Sequence, residues 1–221
     1  IGGDGTFLNC AHECRLPETP IIGINTGHLG FFQELMPSQL EMFVEYFERR
    51  EYTIEKIKPI RALVTDRDGV HELIGINEIL VMGMYAKLAH LAIIMDDTPI
   101  QEFIGDGMLV STSVGSTAHN YSLGGSLVAP QLDALQLTPM APLNTSAYRC
   151  FRSSILYPAS KKVRMITRKS TVGDKLLLAY DGFTREFSRV SKIDVTQSDS
   201  QIQLVRLPGY DYWEKLKGKL L

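Results

Sequence analysis

From about residue 55 onward the chain is a succession of β-prone runs separated by short turn signals, and this punctuation limits the possible folds more than any other feature. Arg61–Thr65 and His71–Ile76 are joined through Asp68-Gly69, and Lys175–Tyr180 and Thr184–Val190 flank Asp181-Gly182. Leu88–Met95 and Ile100–Ile104 flank Asp96-Asp97-Thr98-Pro99. Ile193–Gln197 and Gln201–Leu207 follow, around Ser198-Asp199-Ser200. Asp-Gly pairs reach the positive φ that tight hairpins need. Hairpins in series predict antiparallel sheets packed as a β-sandwich. The tail from Tyr210 to Leu221, with Trp213, Leu216 and Leu220, reads as a short amphipathic helix that must dock elsewhere.

Residues 1–50 follow a different grammar. After a glycine-rich start, Phe7, Cys10, Ala11 and Cys14 fall at helical spacing, and Pro17 and Pro20 end the helix. Ile21-Ile22-Gly23-Ile24 reads as a buried parallel strand, with the loop Asn25–Phe31 at its end. Ser38 and Glu41 form a capping box for a second helix whose apolar stripe is Leu40, Phe43, Val44 and Phe47. Strand, loop and helix in alternation predict a parallel α/β sheet. The opening Ile1 is all that remains of the strand such a loop normally leaves, so preceding sequence is expected to be missing.

Composition narrows the class. In 221 residues, 44% are apolar and 22% charged, which predicts a globular protein and argues against disorder. The net charge of −2 lacks the Lys/Arg excess that nucleic-acid partners require. No apolar run approaches the roughly 20 residues of a membrane span, and no export leader opens the chain, so a cytoplasmic location is expected. Cys10, Cys14 and Cys150 are odd in number and lack CxxC spacing, which argues for buried apolar roles in a reducing compartment. His12, His71 and His90 share no ligand spacing, so no dedicated metal site is predicted. His28 lies in a glycine-rich loop and suits loop packing better than phosphate contact.

Gly2-Gly3-Asp4-Gly5-Thr6 carries the most chemistry. Glycines let phosphate oxygens approach backbone amides, and a helix starting at the loop adds its amino-terminal dipole. Gly2, Gly3, Gly5 and Thr6 are therefore the candidate phosphate loop. Asp4 is an anion placed where anions should bind, and two chemical roles would justify it there. It could accept a proton from an attacking hydroxyl, or it could help hold Mg²⁺ on a triphosphate. A plain turn with a capping Asp is the bland alternative. The pentapeptide says phosphoryl transfer without naming the acceptor, being shared by 6-phosphofructokinases and diacylglycerol-type lipid kinases.

Further segments narrow the acceptor. Asn77-Glu78 pairs an amide with a carboxylate, suited to ribose hydroxyls or a base edge. Gly105-Asp106-Gly107 repeats a small-acid-small pattern, and Ser111–Gly125 crowds hydroxyls and glycines around a strand-to-helix turn. In this order, Gly2–Thr6, Gly23–Phe31, Asn77-Glu78, Gly105–Gly125 and Leu137–Pro142 resemble the NAD kinase family across most of residues 1–142.

The resemblance implies a partial Rossmann-like α/β domain over 1–55, a β-rich NAD-binding domain over 56–192, and a carboxy-terminal segment over 193–221 that returns to the first. It implies that Asp4 is the catalytic aspartate near the adenosine ribose 2′-hydroxyl. Gly5, Asn77, Glu78, Asp106, Thr117, Ala118, His119, Asn120, Ser122 and Ala141 would contact the dinucleotide. ATP with Mg²⁺ (or polyphosphate) would be the donor, and NAD sites would be completed by a neighbouring subunit in a homodimer or homotetramer. Four residues depart from the family pattern: His119 stands for Tyr, Ile104 for Arg, and Ser113-Val114 for Thr-Pro. The rival readings are a lipid kinase, which would need an apolar or amphipathic entrance, and a nucleotide sensor without turnover.

Overall fold

Helix α1 (Asp4–Glu13) begins inside the glycine-rich pentapeptide rather than after it, so Asp4, Gly5 and Thr6 form its first turn and the loop proper shrinks to Gly2-Gly3. Gly2 has φ 146°, a conformation L side chains rarely adopt, and its N–H donates to Ile24 O at 2.9 Å. The computed structural model describes residues 1–15, 18–27, 30–145, 149–168 and 175–220. Pro17 and His28 lie outside the described residues. Residues 1–58 with 199–221 form one compact unit, and 59–198 form a second.

In the first unit α1 buries Phe7, Leu8 and Ala11, and Phe7 stacks on Phe32 with ring centroids 4.5 Å apart. This stripe is rotated from the expected one, so Cys10 and Cys14 are exposed rather than core, whereas Cys150 is buried. Strand β1 (Gly23–Ile24) is shorter than expected and half-buried; it pairs in parallel with β2 (Gln33–Leu35). Ile21 makes a parallel bridge to Leu204. The second helix starts differently from the expected Ser38–Glu41 box. Pro37, with its fixed φ, opens a 3-10 turn over Pro37–Gln39, and Gln39 Oε1 accepts the Met36 N–H at 2.8 Å. Helix α2 (Leu40–Glu48) then turns Phe43 and Tyr46 toward the small core of Leu35, Val205 and Leu207. The other members of the expected stripe, Leu40, Val44 and Phe47, stay exposed. Strand β3 (Thr53–Ile57) closes this part of the chain.

The second unit is one continuous antiparallel sheet of eleven strands. They are β4 (Ile60–Thr65), β5 (Val70–Gly75), β6 (Glu78–Gly83), β7 (Ala89–Met95), β8 (Thr98–Thr112), β9 (Ala134–Pro142), β10 (Ile155–Pro158), β11 (Val163–Thr167), β12 (Lys175–Tyr180), β13 (Phe183–Ser188) and β14 (Lys192–Gln197). The path runs β13-β12-β6-β8-β7-β11-β14-β4-β5, with β9 and then β10 branching from β8. The β4–β5, β7–β8 and β12–β13 pairs are the hairpins the turn signals predict. Alternating apolar residues from nearly every strand fill one core that includes Ile79, Leu91, Met108, Leu137, Met165 and Leu178. The expected sandwich is thus a single sheet curled around its core until its ends meet. His71 of β5 lies 5.5 Å from the Phe187 ring of β13, and its Nδ1 is 3.1 Å from Arg185 Nη2.

Gly105-Asp106-Gly107 sits within the long strand β8, not in a loop. On one edge β8 pairs with β7 up to Gly105 and with β6 from Gly107, so Asp106 marks the point where neighbours change. A Cβ on Gly107 would fall 2.6 Å from Val81 O, so glycine permits the close passage there.

Strand β14 pairs with β11 and β4, so the expected boundary at 193 falls inside the large sheet, and the terminal segment begins at Asp199. Strand β15 (Ile202–Arg206) pairs with β3 instead of forming a hairpin with β14. Helix α4 (Tyr212–Leu220) buries Tyr212 and Leu216, while Trp213 of the expected amphipathic tail is 62% exposed.

Arg206 organises this unit. Its Nε is 2.5 Å from Glu55 Oε2, its Nη1 is 3.0 Å from Glu34 Oε2, and its guanidinium lies 4.0 Å from the Tyr210 ring centroid. Removing one partner of a buried ion pair leaves charge uncompensated, at about 3–5 kcal/mol. Arg206→Met should therefore lower the denaturant midpoint of the first unit sharply, read from Trp213 fluorescence. An unchanged midpoint would show that Glu34 and Glu55 do not depend on this cation.

Candidate functional site

In the first unit the chemistry centres on Asp4. Because α1 begins at this residue, the amides of its first turn lack intrahelical acceptors and face the helix's amino-terminal end. A Cβ on Gly3 or Gly5 would meet nothing within 4 Å, so the loop is open to an approaching group. The Asp4 side chain does not cap its own helix. It reaches the chain after Gly30, where Phe31 N–H donates to Oδ1 at 2.9 Å and Phe32 N–H donates to the same oxygen at 3.2 Å. A weaker share of the Phe31 N–H reaches Oδ2 at 3.2 Å. Lys219 Nζ donates to Oδ2 at 2.6 Å. With 24% of its side-chain surface accessible, Asp4 is held but not buried.

In the second unit the Asn77-Glu78 corner is fixed on both sides. Asp181, at the turn of the β12–β13 hairpin, accepts the N–H groups of Ile76 at 2.6 Å and Asn77 at 2.8 Å. The Asn77 carbonyl accepts Thr112 N–H at 2.9 Å, with hydroxyl donors from Thr112 at 3.2 Å and Ser111 at 3.3 Å. A Cβ on Gly115 would fall 2.0 Å from that carbonyl oxygen, so only glycine fits there. With the backbone thus satisfied, the side chains stand out: Asn77 Oδ1 and Glu78 Oε2 are buried without a hydrogen-bond partner. Buried polar groups are ordinarily paired, so such atoms are available to solvent or to a bound group. Burial, reinforced by the nearby Asp181 charge, pushes the Glu78 carboxyl up to about 8, which makes it an O–H donor near neutral pH.

The remaining expected residues divide into two groups. Asp106 is exposed and faces Ala141 across β8 and β9, between the Gly105–Pro142 and Gly107–Met140 pairs. Ala141 has φ 44°, an unusual conformation for a residue with a Cβ, and it is exposed. Thr117 and Ala118 are half-buried at the end of a 3-10 turn (Val114–Thr117) that leads into α3 (His119–Ser122), and His119 and Ser122 are exposed. Asn120 behaves differently. It is fully buried, Thr138 Oγ1 donates to its Oδ1 at 2.6 Å, and its Nδ2 reaches the Ser116 and Ser126 carbonyls at 3.4 Å. Its side-chain polar atoms are engaged inside the protein, where they shape the loop. Ile104 is buried, and the cation expected at that position is absent.

Sequence reading missed Asp181 and Lys219. Asp181-Gly182 shows up as a turn, but nothing local reveals that its carboxylate holds a corner some hundred residues earlier. Lys219 gives no signal, since a lysine near the end of an amphipathic helix is ordinary. Among the described residues, no group of three or more His, Cys, Asp or Glu could hold a metal ion, and no helix is long and apolar enough to cross a membrane.

Residues 1–52 match the family described as the ATP-NAD kinase N-terminal domain, and residues 76–207 match the ATP-NAD kinase C-terminal domain. The NAD kinase of Finegoldia magna is 37% identical, with an alignment covering 100% of this chain and 82% of that protein. NAD kinase 1 of Halalkalibacterium halodurans is 32% identical, covering 100% and 83%. Among solved structures, yeast NADH kinase complexed with NADH is similar with a TM-score of 0.84 at 23% identity, over 99% of this chain but only 63% of that one. An NAD kinase from Archaeoglobus fulgidus in complex with ATP gives a TM-score of 0.77 at 24% identity, over 98% and 81%. At these identities the two structures speak for the fold.

The state of Glu78 has a thermodynamic consequence. Its folded value, about 8, lies above its ordinary 4.5, so between those limits the folded chain keeps a proton that the unfolded chain has lost. Stability tied to this group is full below the lower limit and drains away as pH rises through the upper, by at most about 1.4 kcal/mol per pH unit. In urea titrations between the two limits, Glu78→Gln should gain on the wild type as pH rises. A difference independent of pH would mean that Glu78 is ionised in the folded protein.

Proposed function

The chain belongs to the ATP-NAD kinase family, and we propose that it transfers the γ-phosphoryl group of ATP to the 2′-hydroxyl of the adenosine ribose of NAD, giving NADP, with Asp4 as proton acceptor. The observation that supports the role of Asp4 is its placement. It is a carboxylate at the start of a helix, oriented by the Phe31 and Phe32 amides, with 24% of its side-chain surface accessible. Gly2, Gly3, Gly5 and Thr6 then cradle the triphosphate, with first-turn amides balancing charge on phosphate oxygens. Mg²⁺ enters as the magnesium complex of ATP, part of the substrate. As the ribose oxygen attacks in line, its proton passes to Asp4. A carboxylate is a weak base for an alcohol, so Asp4 contributes through position and by accepting the proton late.

Gly5, Asn77, Glu78, Asp106, Thr117, Ala118, His119, Ser122 and Ala141 are proposed as contacts for NAD. The orphan polar atoms of Asn77 and Glu78 support this for the first pair. A protonated Glu78 suits an acceptor on the ligand, and Asn77 Oδ1 suits a donor. His119 is an exposed imidazole that can stack on a flat ligand in place of the family's Tyr. The family match removes the lipid-kinase reading, because both matched domains belong to NAD kinases. Assembly as a homodimer or homotetramer is part of the proposal, carried over from the family resemblance. So is a cytoplasmic location, which suits the free Cys10, Cys14 and Cys150.

The test is direct. Incubated with NAD, ATP and Mg²⁺, the protein should form NADP, while a parallel reaction with diacylglycerol should give no lipid phosphate. Asp4→Asn should lower kcat by about 100- to 10,000-fold with little change in either KM. Turnover near the wild-type rate would remove Asp4 from the role of base.

A further inference from the structure

The carboxyl terminus of the chain reaches the residue proposed as base. Lys219, in the last turn of α4, donates to Asp4 Oδ2 at 2.6 Å, and its ammonium also lies 4.5 Å from the Phe31 ring centroid. The Phe31 N–H is the group that holds Asp4 Oδ1 at 2.9 Å. Asp4, Phe31 and Lys219 thus close a triangle in which each member contacts the other two. Lys215, one turn earlier on the same face of α4, donates to the Gln33 carbonyl and lies 3.8 Å from Glu34 Oε2. Tyr212 and Leu216 anchor the helix by burial. Burial and the nearby Arg206 charge push Lys215 down to about 8 against the pull of Glu34, which fits a side chain committed to docking.

Lys219 differs from Lys215 in what it touches. Two backbone amides fix Oδ1, but they leave the other oxygen to the long 3.2 Å share of Phe31 N–H. Lys219 supplies the second point of a two-point hold, so that rotation of the carboxylate plane would break contacts at both oxygens.

We propose that Lys219 is a positioning residue for Asp4, holding the base in one orientation from the carboxy-terminal helix. This rests on the reading of Asp4 as the base. Lysine's reach makes the role specific: Met keeps an unbranched side chain of similar length but loses the donor, whereas Arg keeps charge and donors.

Steady-state assays of NADP formation on the full chain separate the outcomes. Lys219→Met should lower kcat by about 10- to 100-fold while KM for NAD and for ATP stays within about 3-fold, the pattern of a misplaced group rather than a lost binding contact. Lys219→Arg should recover most of that loss. Lys217→Met on the same helix, 72% exposed, should behave as wild type. Far-UV circular dichroism and the melting temperature of each variant register any loss of fold. A Lys219→Met enzyme with wild-type kcat, or one whose only change is a raised KM for ATP, would overturn this inference and leave the proposed reaction standing. A kcat loss that Lys219→Arg fails to relieve would also overturn it. A wild-type chain that makes no NADP would overturn both.

Discussion

The carboxylate of Asp4 is a junction for three parts of the chain that are distant in sequence. It starts α1, its Oδ1 takes the amides of Phe31 and Phe32, and its Oδ2 takes the terminal Lys219. Each contact constrains a different element of the first unit: the glycine-opened helix, the entry to β2, and α4. The arrangement gives a local reason for an acid in a phosphate loop. A carboxylate that would repel a triphosphate is instead bound by donors the fold supplies, and part of its surface remains accessible.

The second unit uses a carboxylate in a comparable way. Asp181 collects the amides of Ile76 and Asn77 and so fixes the corner that presents Asn77 and Glu78. Its charge then acts on Glu78, adding to burial in keeping that carboxyl protonated. One acid is spent on holding backbone, and the neighbouring acid is kept neutral by burial with an unpaired oxygen, a division of roles set by environment rather than residue type. The change of strand partner at Asp106 has a similar origin. Gly105 and Gly107 allow β8 to pass from β7 to β6, and Asp106 stands exposed at that point.

Features governed by local chemistry were legible in the sequence. Asp68-Gly69 and Asp181-Gly182 make the hairpins they signal, because positive φ at such pairs is nearly independent of context. The glycine pentapeptide marks a helix start with an acid, although the helix begins earlier because Gly3, in an extended conformation, can serve as its amino-terminal cap. Features decided by packing were not legible. Cys10 and Cys14 have helical spacing but lie on the outer face, since Phe7 and Leu8 offer more apolar surface to bury. Ser198-Asp199-Ser200 looks like a hairpin turn, yet the chain there passes between units, as β14 and β15 find better partners in β4 and β3. Nor could spacing show that Asn120 is spent on Thr138, or that Lys219 meets Asp4 from the far end of the chain.

The proposed chemistry depends most on where Asp4 stands relative to the ribose that is to be phosphorylated. A crystal structure of this chain with NAD bound measures that distance. An Asp4 carboxylate oxygen within about 2.6–3.2 Å of the adenosine 2′-oxygen, with the Phe31 and Phe32 amides still in place, is the expected result. A bound dinucleotide whose 2′-oxygen lies beyond hydrogen-bond reach of Asp4, with another side chain of this protein at that hydroxyl, would contradict it.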